Sequence, residues 1–145
     1  MIRKCQTEDI KQVLRIWLES NIEAHNFIKQ EYWLTNVTNV KKHLEFAEVY
    51  VYEQECKVVG FLGMQGNYLA GIFIDKDNRC NGIGKQLLDF IKGLHQEIIL
   101  KVYKENKGAM KFYEREGFHF ISEEMDNVTN NVELLMQWKA DNLME

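Results

Sequence analysis

The chain has 145 residues, 46% of them hydrophobic, and a formal net charge of -4; that length builds one compact domain over residues 1–145, with a core that needs neither metal nor disulfide. The mildly acidic balance, without a cluster of Lys and Arg, speaks against nucleic acid as a partner and tolerates cationic amines. No apolar run approaches the roughly 20 residues that would span a bilayer, and three widely spaced cysteines, Cys5, Cys56 and Cys80, with no leader ahead of them, indicate a soluble protein of the reducing cytoplasm.

"IRKCQ" alternates as a half-buried first strand does. Thr7 then stands as an N-cap with Glu8 and Asp9 behind it, ahead of Ile10, Val13, Leu14, Trp17 and Leu18 at helical spacing. The stretch "NIEAHNFIKQEYWLTN" has aromatics without a clean period and is expected to be irregular. After Thr38, the residues Val40, Leu44 and Ala47 suggest a short second helix. Three β runs follow, "VYVYEQ", "KVVGFLGMQ" and "NYLAGIFID", joined by the turns "QECK" and "QGN" as antiparallel hairpins. Ile83, Leu87, Leu88, Ile91 and Leu94 mark a third helix. "EIILKVY" reads as a short buried strand, and the helix "KGAMKFYERE" stops at Gly117, a natural residue for the position after a helix. "FHFISEEM", the turn "DNVTNN" and "VELLMQW" close the chain as a hairpin. The order predicts a mixed α/β (α+β) layer architecture of about seven strands and about four helices.

The loop "KDNRCNGIG" joins a strand to a helix, as an anion-binding turn would. It fails the dinucleotide pattern G-x-G-x-x-G because Leu87 replaces the third glycine. It also fails G-x-x-x-x-G-K-[ST], with Arg79 for the first glycine and Gln86 for the hydroxyl residue. What remains is R-x-x-G-x-G: Arg79, Cys80, Asn81, Gly82, Ile83, Gly84, followed by Lys85. Free N–H groups and the positive end of the helix dipole can hold a pyrophosphate there, and glycine lets the backbone come close. By itself the loop is equally an ordinary strand-to-helix turn.

Downstream, Asn106, Ala109, Phe112, Tyr113, Gly117 and Phe118 form N-x-x-A-x-x-F-Y-x-x-x-G-F. This block and the R-x-x-G-x-G loop, in this order and spacing, resemble the GCN5-related N-acetyltransferase (GNAT) superfamily. The likeness extends to the "TEDI" helix start, the "VVGF" strand and the closing hairpin. A softer likeness is to small bacterial members that include protein-lysine acetyltransferases. Cys80 stands where the family often has glycine and Lys76 where it often has proline. The resemblance implies a mostly antiparallel sheet with helices on both faces, split between its fourth and fifth strands, and acetyl-CoA as co-substrate.

Acetyl transfer from a thioester to an amine needs a neutral amine, a polarised carbonyl and a proton for the departing thiolate. The resemblance assigns the carbonyl to backbone N–H groups around Ile72, Phe73 and Ile74, and the proton to Tyr113. The alternative for Tyr113 is a half-buried helix aromatic beside Phe112. Asn106 matches a contact to the cofactor arm and is also an ordinary helix cap. The base is open among His25, Glu31, Glu105, His119 and a water relay. His25 could equally be a packed loop histidine beside Phe27, Tyr32 and Trp33. Cys80 reads as a spectator thiol, and the scattered histidines His25, His43, His95 and His119 offer no metal site. The acceptor is a protein lysine or a small-molecule amine such as an antibiotic, a polyamine or an amino acid. A noncatalytic acyl-CoA sensor is the competing reading, and monomer and homodimer both stay open.

Overall fold

The computed structural model describes residues 1–79 and 81–141. Its elements are β1 (Ile2–Lys4), α1 (Ile10–Ala24), α2 (Gln30–Leu44), β2 (Glu48–Gln54), β3 (Lys57–Gln65), β4 (Tyr68–Ile74), α3 (Ile83–Lys92), β5 (Glu97–Tyr103), α4 (Lys107–Arg115), β6 (His119–Asp126) and β7 (Asn131–Lys139). The seven strands form one sheet in the order β1-β2-β3-β4-β5-β7-β6. Every neighbouring pair is antiparallel except β4 and β5, so the mixed architecture expected from the pattern is present.

Strand alternation divides the core between the two faces. Tyr50, Val59, Leu62, Met64, Leu69, Ile98, Leu100, Val102, Leu134 and Met136 point to one face, where Ile83, Leu87, Leu88 and Ile91 of α3 and Tyr113 of α4 meet them. Val49, Val51, Val58 and Phe61 point the other way, against Val13 and Ile16 of α1. This second cluster takes no residue from β5, β6 or β7. The face of the sheet opposite α3 and α4 is therefore packed by helix over its N-terminal half and left without such a core over its C-terminal half.

The parallel ladder between β4 and β5 has only two pairs, Tyr68↔Ile99 and Leu69↔Leu100. Beyond them β4 runs on to Ile74 paired to β3 alone. The cause lies in the β3–β4 register, where Gly63 pairs Gly71 and Met64 pairs Leu69. Ala70 is thus an extra residue, and a bulge of this kind bends its strand away from a neighbour. Phe73 folds its ring back over Gly71, where a Cβ would stand 2.5 Å from a ring carbon.

Three local expectations are corrected. Thr7 does not cap α1: Thr7–Asp9 form a 3-10 turn, and the Asp9 carboxylate accepts the Gln6 N–H at 2.8 Å. Asp9 is also gripped by Arg3 at 2.7 Å, a contact that holds its carboxyl below the usual carboxylate range. The second helix begins at Gln30 rather than after Thr38, which leaves only the short segment between Ala24 and Gln30 without regular helix. Leu94 lies past the end of α3 and is exposed.

Candidate active site

The strand-to-helix loop delivers an anion cradle at the start of α3. Gly82 has φ +77°, the left-handed region that favours glycine, and occupies the cap position. The first bond of the helix runs from Gln86 N to the Gly82 carbonyl at 3.0 Å. The N–H groups of Ile83, Gly84 and Lys85 precede it and have no intrahelical acceptor, and no side chain caps them. At Gly84 an added Cβ would meet only Phe112, at 3.5 Å, an ordinary contact. The fold by itself therefore has room for a side chain at 84, and the bare backbone there leaves space for something outside the chain. The Ile83 side chain is in the core at 3% exposure, so only its backbone faces the cradle. Cys80 lies outside the described residues.

Three cavities run in series from this cradle. The outermost, about 560 Å³, is lined by Arg79, Gly82, Ile83, Gly84, Lys85 and Phe112 among others. The next, about 440 Å³, shares Ile74, Arg79, Gly84 and Phe112 with it and continues past Ile72, Phe73, Asn106 and Ala109 to Tyr113. The third, about 250 Å³, shares Asn21, His25, Ile72, Phe73, Asn106, Ala109 and Tyr113 with the second. It opens among Trp33, Tyr68, Lys101, Tyr103 and Glu133. The shared residues surround the split between β4 and β5, so the series passes from one side of the sheet to the other. A chain of cavities with an anion cradle at one end fits an elongated pyrophosphate-bearing arm, as acetyl-CoA has.

Around the split each side chain has a definite partner. Tyr113 is buried, edge-on to Phe112 and Phe118 at 5.3 and 5.5 Å between centroids. Burial, seconded by Tyr68, pushes its phenol well above the ordinary tyrosine range, which keeps it protonated at any physiological pH. Asn106 caps α4 by accepting the Ala109 N–H at 3.3 Å. That bond orients its amide so that Nδ2 meets His25 Nε2 at 3.1 Å. An amide NH₂ can only donate, so Nε2 accepts and the His25 proton sits on Nδ1. Nδ1 is buried without a hydrogen-bond partner, and burial drives the imidazole pKa down, with the Asn21 backbone opposing weakly. His25 stacks on Trp33 at 5.2 Å and meets Phe27 and Tyr103 edge-on. It is both a packed aromatic and a wall of the cavity.

Other sequence candidates fall elsewhere. Glu31, Glu105 and His119 are exposed and line none of these cavities. Arg79 lines the cavity, but its guanidinium donates to Glu23 at 2.8 Å and to the Ile74 carbonyl at 3.2 Å. Lys85 is exposed between Asp89 and Glu116 at 3.1 and 3.3 Å. Asn81 is exposed in the loop. Sequence reading missed Tyr68, Lys101, Tyr103 and Glu133. No metal cluster of His, Cys, Asp and Glu occurs among the described residues, and no described helix is long and apolar enough to cross a membrane.

Comparison with known proteins gives the family and the fold. A sequence model of the acetyltransferase (GNAT) domain matches residues 45–120. The chain is 34% identical over 140 residues to the peptidyl-lysine N-acetyltransferase YiaC of Escherichia coli, covering 95% of this chain and 96% of that protein. The solution structure of apo YjaB from Escherichia coli superposes with a TM-score of 0.85 at 25% identity, covering 97% of each chain. A Bacillus anthracis acetyltransferase in complex with acetyl coenzyme A superposes at 0.60 and 25% identity, over 66% of this chain and 63% of that one.

Proposed function

The chain belongs to the GNAT acetyltransferase family and is an N-acetyltransferase that takes its acetyl group from acetyl-CoA; from that premise we propose that its acceptor is the side-chain amine of a protein lysine. The observation that carries this reading is the third cavity. It leaves the split on the face opposite α3 and α4, where the rim of the α1–α2 layer, at Trp17, Asn21 and Trp33, meets β5 and β7 among aromatic side chains and one carboxylate. A long side chain entering from there reaches the split while the rest of its protein stays outside. The name of YiaC, a peptidyl-lysine N-acetyltransferase, supports the same acceptor class. A cytoplasmic, bacterial setting belongs to this reading.

Acetyl-CoA supplies an activated carbonyl and a thiolate leaving group. The N–H groups of Ile83, Gly84 and Lys85, with those of Gly82 and Asn81 ahead of them, hold the pyrophosphate, with Arg79 and Lys85 at its rim. Ile72, Phe73 and Ile74 offer the strand edge freed by the bulge at Ala70, whose backbone N–H groups polarise the carbonyl. Ala109 and Phe112 wall the arm, and Asn106 fixes the wall by capping α4. Tyr113, kept neutral by its burial, gives its proton to the leaving sulfur. His25 is occupied on Nε2 by Asn106 and serves as a shaped wall rather than as the base.

The test is CoA-thiol release from acetyl-CoA with peptide lysines, peptide N-termini and small amines, run beside calorimetric binding of acetyl-CoA. Release stimulated by the lysine peptides above the other two classes is expected. Stimulation confined to a small amine would replace the lysine acceptor with a small-molecule one.

A further inference from the structure

The strand parity of the C-terminal half of the sheet singles out one carboxylate. On β7, Leu134 and Met136 face the core beneath α3 and α4, so Glu133 faces the opposite side. Across the sheet its neighbours in register are Tyr103 on β5 and Glu124 on β6. Each other charged group nearby is already engaged. Lys101 is bridged to Glu124 at 2.6 Å, and Asp126 accepts the Tyr103 hydroxyl at 2.8 Å. Glu133 is half-buried, lines the same cavity as Tyr113, and has neither hydrogen bond nor ion pair among the described residues.

We propose that Glu133 is the residue that pairs with the acceptor ammonium and takes its proton, at the mouth of the cavity whose inner end is Tyr113. An unpaired carboxylate walled by Trp33, Tyr68 and Tyr103 matches a cation on an apolar stem. The aromatic faces take the methylenes and the positive charge, and the carboxylate takes the N–H. The assignment rests on the amine-acetylating reading above. The proton balance closes. Of the three ammonium protons, one passes to Glu133 and on to solvent, and one stays on the amide nitrogen. The third replaces the proton that Tyr113 gives to the sulfur, and the C–N bond forms as the C–S bond breaks.

The groups facing Glu133 set its titration. Tyr32 comes from α2, Tyr68 from β4, Lys101 and Tyr103 from β5, and Glu124 and Asp126 from β6. Burial comes first and Asp126 second in raising its pKa above the ordinary glutamate range, against Lys101. The carboxylate form is the competent one, so kcat/KM should rise with pH through that raised value.

The experiment compares wild type, Glu133→Gln and Glu133→Asp. The amine is whichever in the panel stimulates CoA release from the wild type, so failure of lysine as acceptor leaves this test standing. For Glu133→Gln we expect kcat/KM for the amine to fall about 10- to 100-fold, the acid limb of the profile to move, and calorimetric affinity for acetyl-CoA and Tm to stay unchanged. Glu133→Asp should restore the limb and part of the rate, which a purely structural role would not do. If Glu133→Gln keeps kcat/KM within about twofold with an unmoved acid limb, while Tyr113→Phe still loses turnover, the proposal is overturned and the acetyltransferase reading is not.

Discussion

At the scale of single residues, the two groups nearest the split do opposite things with a proton. Tyr113 is an acid that burial prevents from ionising, which suits a donor that must be loaded whenever the thiolate leaves. His25 is a base whose accepting nitrogen is already taken by Asn106 and whose burial disfavours the cation. Protonating it would set an N–H against the Asn106 NH₂. Replacing the Tyr113 hydroxyl by hydrogen removes the acid and leaves the ring contacts to Phe112 and Phe118 in place. Tyr113→Phe should therefore lower kcat about 100-fold. Because the phenol pKa is raised, wild-type Tyr113 stays protonated over about pH 6–9, and the fold-loss should be level across that range. Steady-state CoA release at several pH values, with calorimetry to confirm an unchanged Kd for acetyl-CoA, checks this; full turnover in the variant would remove Tyr113 from the acid role.

Among the elements, the turn into α3 and the bulge in β4 decide where a cofactor arm can lie. The two glycines of the turn are needed for different reasons, and substitution separates them. Gly82 holds φ +77°, so Gly82→Ala places a side chain in the left-handed region at about 1–2 kcal/mol and should lower Tm by about 2–8 °C. Gly84 has a helical place and 3.5 Å of clearance to Phe112. Gly84→Ala should keep Tm within about 2 °C of wild type, or raise it, while weakening acetyl-CoA about 10-fold. Calorimetry and thermal melts read both, and unchanged affinity in Gly84→Ala would deny the turn its role as a cradle. This turn was legible from sequence because its chemistry is local: consecutive residues supply the donors. The N-x-x-A-x-x-F-Y block was legible for the same reason, since Asn106, Ala109 and Tyr113 share one turn-and-helix unit. The β meander showed through its alternation, and β5 through its apolar run. The start of α2 did not show, because Gln30–Leu44 buries only Trp33 and its β-branched residues dilute the helical signal. The bulge at Ala70 and the cavity position of Glu133 were also out of reach. Both arise from register between strands, and "VELLMQW" tells only that Glu133 lies opposite Leu134, not what it faces.

On the scale of the whole molecule, the sheet separates two cores of unequal size, one on each face. α3 and α4 build the larger core against β2, β3, β4, β5 and β7 and leave β6 exposed, whereas the α1–α2 layer builds its own cluster against β2, β3 and β4. The open quarter, over β5, β7 and β6, carries Glu124, Glu133 and Asp126 against Lys101, on a chain whose net charge is -4. Lys101 is bridged to Glu124, and Glu133 stays unpaired among the described residues at the mouth of the third cavity. The anion cradle lies at the other end of the cavity series, beside Arg79 and Lys85. The passage thus offers uncapped helix N–H donors at one end and an unpaired carboxylate at the other. A cationic peptide should be steered to the acceptor mouth, and salt should screen that attraction over a Debye length of about 10 Å at about 0.1 M. Raising salt from about 50 mM to about 500 mM should lower kcat/KM for a lysine peptide with basic neighbours about 3- to 10-fold, through KM, with kcat little changed. A peptide of the same length with acidic neighbours should respond weakly or in the opposite sense. Initial rates for the two peptides across the salt series decide the matter: parallel curves would mean that the acidic rim does not meet the acceptor, and the open quarter of the sheet would lose its place in substrate capture.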